Sequence, residues 1–173
     1  LGLGAIGSDV IEMAKNEFAD RIEIPAVLVR RPRDPATINR TVITNDFDTF
    51  FSKETDLILE VAGHSTVQDY GERILKASRD FMVTSVGAFT DDILYQKCIK
   101  AAQASGARLI IPSAGIGSLD TLSAAAVGGL TSVHMIVRKD PSAWHGTYAE
   151  TLFDLNSLKE PTVIFEGTPR EGA

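Results

Sequence analysis

At 173 residues and 44% hydrophobic content, the chain can bury one good core and part of a second, and its charged fraction of 23% excludes disorder as the default. The formal net charge of -6 speaks against a nucleic-acid partner, because phosphate binding needs a concentrated basic surface and the densest basic run is only Arg30, Arg31 and Arg33. One cysteine excludes an intrachain disulfide, no apolar run reaches the ~20 residues of a membrane helix, no metal site is expected, and the cytoplasm is the compartment that fits.

Up to about residue 110, short apolar runs alternate with longer amphipathic ones, the pattern of βαβ units around a parallel sheet. A glycine motif leads into a helix over Ser8 to Phe18, with Val10, Ile11, Met13, Ala14 and Phe18 on its apolar side. Pro25 to Val29 is a short strand ending at Arg30 and Arg31, and Pro32 to Asn39 is loop. Val42 and Ile43 form a further short strand, followed by a short helix over Asp46 to Phe51. Leu57 to Val61 is a buried strand closed by Ala62 and Gly63, and Val67 to Ala77 is a helix presenting Val67, Tyr70, Ile74 and Leu75. Phe81 to Val86 is the next strand, stopped by Gly87. Asp91 to Ser105 is a helix with Leu94, Cys98, Ala101 and Ala102 at helical spacing, stopped by Gly106. Cys98 is thereby assigned to packing, and Leu109 to Ile111 is the following strand. The fold class is α/β, a Rossmann doubly wound parallel sheet followed by an incomplete second α/β domain.

After Pro112 the character changes. Ser113 to Ser118 is rich in glycine and serine, and Leu119 to Val127 is an Ala-rich helix. Ser132 to Val137 alternates like a strand of a different sheet, Pro141 to Gly146 is loop, and Val163 to Phe165 is another strand. A boundary falls near Pro112, giving domains 1–112 and 113–173.

The strongest motif is Gly2-Leu3-Gly4-Ala5-Ile6-Gly7, a full GxGxxG. Gly2 permits a tight strand-to-helix turn, Gly4 lets the backbone approach a pyrophosphate, and Gly7 lets the helix pack close to the sheet. The helix that follows aims its free N–H groups and positive dipole end at the phosphates. An acidic residue normally ends the next strand and binds the adenine ribose; here the chain reads Val29-Arg30-Arg31-Pro32-Arg33. An arginine fork holds a 2′-phosphate by paired charge-assisted hydrogen bonds. Asp34 can still reach the ribose, so the cofactor is NAD or NADP. The alternative for Arg30 and Arg31 is a solvated surface.

Beyond this loop, ordered segments resemble the L-aspartate dehydrogenase family. They are Glu60-Val61-Ala62-Gly63-His64, Ser85-Val86-Gly87-Ala88-Phe89 and Gly115-Ile116-Gly117-Ser118-Leu119-Asp120, then Gly128-Gly129-Leu130, Arg138-Lys139, Ala143-Trp144-His145-Gly146-Thr147 and Phe165-Glu166-Gly167-Thr168. The resemblance runs end to end. It implies NAD(P)-dependent oxidation of L-aspartate to iminoaspartate, feeding NAD biosynthesis, by a homodimer of a two-domain enzyme. Ala62, Gly63 and His64 would line the ribose and nicotinamide, with a helix-starting role open for His64. Ser85 and Gly87 end the next strand at the same carboxyl edge, where open α/β sheets hold their ligands. Gly115 stands where the family makes a backbone contact to the cofactor. The chain reads Ser-Ala-Gly-Ile-Gly-Ser there, where Ser-Gly-Ala-Ile-Gly-Gly is typical. Arg138 and Lys139, at a predicted strand end, are candidates to receive the substrate's two carboxylates, and Trp144 with His145 is expected to pack a loop.

The chain opens inside the glycine motif, so the strand feeding it is expected to be missing. The family's catalytic His is expected beyond the last residue, since His64, His134 and His145 lack its context. Such a piece is expected to be inactive. Losing roughly four buried aliphatic side chains at ~1.5–3 kcal/mol each would rival the ~5–15 kcal/mol stability of a domain, so it is expected to fold poorly or associate. Two rivals stay open: a homoserine dehydrogenase or dihydrodipicolinate reductase type on the same scaffold, and a dinucleotide-binding sensor without catalysis.

Overall fold

The computed structural model describes residues 1–31, 41–113 and 117–172. It divides into two units, Leu1–Ala114 and Gly115–Ala173.

The first unit is built on parallel strands. β1 (Ala26–Leu28) pairs with β2 (Val42–Thr44), while β3 (Leu57–Glu60), β4 (Asp80–Val83) and β5 (Leu109–Ile110) form a second ladder in that order. The two ladders meet at Leu1 and Gly2. The Gly2 N–H donates to the Leu28 carbonyl (2.9 Å), the Val61 N–H donates to the Leu1 carbonyl (2.9 Å), and the Leu1 amine donates to the Leu59 carbonyl. The resulting order, β2-β1-(Leu1-Gly2)-β3-β4-β5, is the doubly wound arrangement with its switch point at the glycine turn.

Helices follow from amphipathic spacing and local caps. α1 (Ala5–Glu17) starts directly on the glycine turn and buries Gly7 and Ala14; Met13, expected on its apolar side, is exposed. α2 (Phe47–Phe51) is started by Asp46, whose carboxylate accepts from the Thr49 N–H (2.7 Å). It leans on α3 (His64–Lys76) through a Phe47–Tyr70 stack with centroids 4.1 Å apart, over which the Arg73 guanidinium lies 4.6 Å from the Phe47 ring. α4 (Asp92–Ser105) begins at the Asp91 cap, which accepts from Ile93 and Leu94, and ends at Gly106. The expected inner faces of α3 and α4 are buried: Val67, Ile74, Leu75, Leu94, Cys98, Ala101 and Ala102 pack with Ile58, Phe81 and Val83. Gly71 makes this packing close, because a Cβ there would stand 3.3 Å from both Cys98 Sγ and the Phe81 ring. Burial pushes the Cys98 thiol up to about 11, with Glu72 adding to the shift, as suits a packing residue.

The second unit contains α5 (Leu119–Val127), a short 3₁₀ turn Pro141–Trp144, α6 (Ala149–Leu152) and a 3₁₀ turn Leu155–Ser157. The strands expected over Ser132 to Val137 and Val163 to Phe165 do not form. Alternation describes a half-buried strand only where a neighbour completes the ladder, and among the described residues this unit has no strand to pair with. Among the described residues, no helix is long and apolar enough to cross a membrane.

Candidate dinucleotide site

The three motif glycines serve three different steric demands. Gly2 has φ +99, where side chains are strained, and a Cβ there would meet the Val61 carbonyl oxygen at 2.8 Å and Ala62 Cβ at 2.9 Å. Gly7 is buried, and a Cβ would stand 2.5 Å from the Gly2 oxygen and 3.3 Å from Val61 Cγ2. Gly4 is the opposite case: its backbone is extended, and a Cβ would find nothing within 4 Å. Packing therefore requires glycine at positions 2 and 7. At Gly4 the requirement has to come from something that approaches the exposed backbone. No side chain caps the N-terminus of α1, so its first N–H groups are offered beside Gly4, Ala5 and Ile6, all exposed. This is the geometry a pyrophosphate fits.

The other expected residues of the first unit sit at the same carboxyl edge. Arg30 and Arg31 follow β1 and are exposed. Ala62 and Gly63 follow β3, and His64 is the exposed first residue of α3. Ser85 follows β4, which ends at Val83 rather than Val86, and Gly87 lies in a 3₁₀ turn, Val86–Thr90. Gly115 lies outside the described residues, as do Arg33 and Asp34. In the second unit, Arg138 is exposed and the Lys139 ammonium stands 4.9 Å from the Trp144 ring centroid. No strand end carries this pair, contrary to expectation. His145 Nδ1 lies 2.7 Å from Glu150 Oε1, and Glu150 Oε2 accepts from the Gly146 N–H (2.8 Å). These bonds hold the Glu150 carboxyl below its usual range, the Gly146 bond most strongly.

One residue of this edge went unassigned in the sequence reading. Glu60, the last residue of β3, is fully buried (0% exposed). Its Oε1 accepts from the Ala62 N–H (2.6 Å), the Gly63 N–H (2.7 Å) and the Ser85 hydroxyl (3.0 Å), and its Oε2 accepts from the Ser85 N–H (3.0 Å). Its own carbonyl accepts from the N–H (3.2 Å) and hydroxyl (2.9 Å) of Thr84. A signal was available: in Leu57-Ile58-Leu59-Glu60 the glutamate shares a face with buried Ile58, and a charge on an inward face needs partners.

Strand order, glycine turn and uncapped helix start define a dinucleotide-binding fold of the Rossmann class. Residues 2–112 match the family model described as homoserine dehydrogenase, NAD binding domain, and residues 120–173 match aspartate dehydrogenase, C-terminal. The chain is 37% identical to the L-aspartate dehydrogenase of Ralstonia pickettii, over 100% of this chain and 66% of that protein. It is 39% identical to that of Brucella anthropi, over 100% of this chain and 65% of that protein. The crystal structure of aspartate dehydrogenase from Thermotoga maritima superposes with a TM-score of 0.57 at 26% identity, covering 71% of this chain and 48% of that one. The chain belongs to the L-aspartate dehydrogenase family. It spans about two thirds of the length of the curated relatives it matches, 66% and 65% for these two.

Proposed function

We propose that the protein takes part in the NAD(P)-dependent oxidation of L-aspartate to iminoaspartate. The observation that carries this reading is the union, in one chain, of a glycine turn open at Gly4 with a following segment that matches the aspartate dehydrogenase C-terminal family. When bound, the nicotinamide would accept hydride from C2 of the amino acid. Gly2, Gly4, Ala5, Ile6 and Gly7 would hold the pyrophosphate through backbone N–H groups and the α1 dipole. Ala62, Gly63, His64, Ser85 and Gly87 would form the floor under ribose and nicotinamide, with Gly115 adding a backbone contact. Arg30 and Arg31 would bind a 2′-phosphate, which favours NADP, with NAD as the other candidate. Arg138 and Lys139 would neutralise the substrate carboxylates. In this reading, 1–112 is the cofactor domain and 113–173 belongs to the substrate side; the family models, ending at 112 and starting at 120, support that division. A cytoplasmic homodimer, with no nucleic-acid or membrane partner, is the assembly the family likeness supports.

The test is dinucleotide-dependent oxidation of L-aspartate by the full-length protein, followed by absorbance of the reduced cofactor, with homoserine as control. We expect turnover with aspartate alone. Turnover with homoserine instead would move the assignment to the homoserine dehydrogenase type. Arg30→Ala with Arg31→Ala should lower the NADP over NAD preference at least about tenfold, the scale of a lost charge-assisted pair; an unchanged preference would return both residues to the solvated surface.

A further inference from the structure

We propose that Glu60 is a positioning residue that sets the nicotinamide half of the dinucleotide site by locking the β3 and β4 end loops to one carboxylate. The proposal rests on the dinucleotide reading above. Glu60 itself is covered and does not reach the open edge. Its carboxylate oxygens instead accept from Ala62, Gly63 and Ser85, residues on two loops, beside the Thr84 hydroxyl that bonds the Glu60 carbonyl.

Three features argue for positioning rather than mere filling. First, the location is expensive: a buried carboxyl is tolerated only when its oxygens are satisfied, and an apolar residue would close the strand more simply. Second, all four bonds converge on backbone or hydroxyl donors of loop residues, and none on the core beneath. Third, Gly63 stands at φ +136 and ψ +169, a backbone state held in place here by its N–H bond to Glu60 Oε1. Releasing that bond lets the loop relax just before α3, at the residues proposed to floor the ribose and nicotinamide. The glycine turn keeps steric constraints of its own: it packs on Val61 and Ala62, and Gly7 is held against the Gly2 backbone, whatever Glu60 does. In a doubly wound sheet the adenosine half lies over β1 and the nicotinamide half over β3 and β4. Loss of Glu60 should therefore weaken one half of the ligand and spare the other.

The experiment measures dissociation constants of NADH, NADPH and ADP for the full chain, for Glu60→Gln and for Ser85→Ala. Glutamine keeps the size but replaces one acceptor oxygen by an NH2, so at least one of the four bonds is lost and a loop N–H is left facing another donor. We expect Glu60→Gln to weaken the reduced dinucleotide at least tenfold and ADP by no more than about twofold. Ser85→Ala, which leaves three of the donors in place, should show the same partition with a smaller change, and decides the matter if Glu60→Gln does not fold. Equal weakening of NADH and ADP in the variants, or none in either, overturns the role of Glu60 while the dinucleotide reading stands. Absence of dinucleotide binding by the unaltered chain overturns that reading, and the proposal with it.

Discussion

A single methyl group separates the two reasons for glycine in the N-terminal turn. At Gly7 it would collide with the Gly2 backbone at 2.5 Å, so Gly7→Ala forces the turn to open. We expect a loss of stability at the upper end of overpacking costs, about 3 kcal/mol, with dinucleotide binding lost alongside. At Gly4 the same methyl meets nothing within 4 Å and the backbone is of a kind any residue adopts. Gly4→Ala should keep its urea midpoint, any change staying within about 0.5 kcal/mol, while affinity for the dinucleotide falls about tenfold or more as the methyl fills the pyrophosphate's approach. Denaturation and binding titrations on both variants make the check. A Gly4→Ala protein that binds as well as the parent would leave the open cradle without a purpose.

Between elements, the β4–β5 pair is fastened at its start by Asp80 and Arg108. The Asp80 carboxylate accepts from the Arg108 side chain (2.8 Å to Nε) and from its backbone N–H (2.7 Å). The Arg108 side-chain bond, then the backbone bond, holds the Asp80 carboxyl below its ordinary value of 3.8. A carboxyl depressed in the folded state stabilises fully above its unfolded value and loses that contribution as pH falls through the folded one. The melting temperature of the parent should therefore exceed that of Asp80→Asn at pH 6, and the gap should begin to narrow as pH falls below about 4. A gap that stays constant down to pH 2.5 would mean that the charge of Asp80 contributes nothing. Elements of this kind were largely legible in the sequence. Short apolar runs gave the parallel strands, those of β3 and β4 closed by glycine, and the α3 and α4 faces follow helical spacing because both helices bury one side against the sheet. The misplaced boundaries have tertiary causes. α1 begins at Ala5 because the glycine turn hands straight to the helix, and β4 stops at Val83 because Thr84 and Ser85 are drawn toward Glu60. The glycine turn was legible since its demands are local and steric. For Glu60 only the inward face was legible; the role was not, because its partners include a residue 25 positions away.

At the scale of the whole molecule, the two units are unequally founded. The first holds the continuous core around Ile58, Val67, Ile74, Phe81 and Val83, while among the described residues of the second only Ala149 and Leu155 are buried apolar side chains. Val127, Ile136 and Val163 stand 91%, 77% and 73% exposed. Backbone outside helix or ladder exchanges its amide hydrogens through small openings, whereas core elements require near-global unfolding. Hydrogen exchange on this chain should therefore split: amides of β3, α3, β4 and α4 protected for the longest times, and those of 130–139 and 162–166 exchanged first. The exposed apolar side chains add a concentration dependence, since each Val or Ile removed from water contributes about 1.5–3 kcal/mol and contiguous apolar surface promotes association. Raising the protein concentration should slow exchange in those two segments while leaving α3 and α4 unchanged. Slow exchange throughout the second unit in dilute solution would contradict this, and would require that its alternating segments find ladder partners that the described structure does not contain.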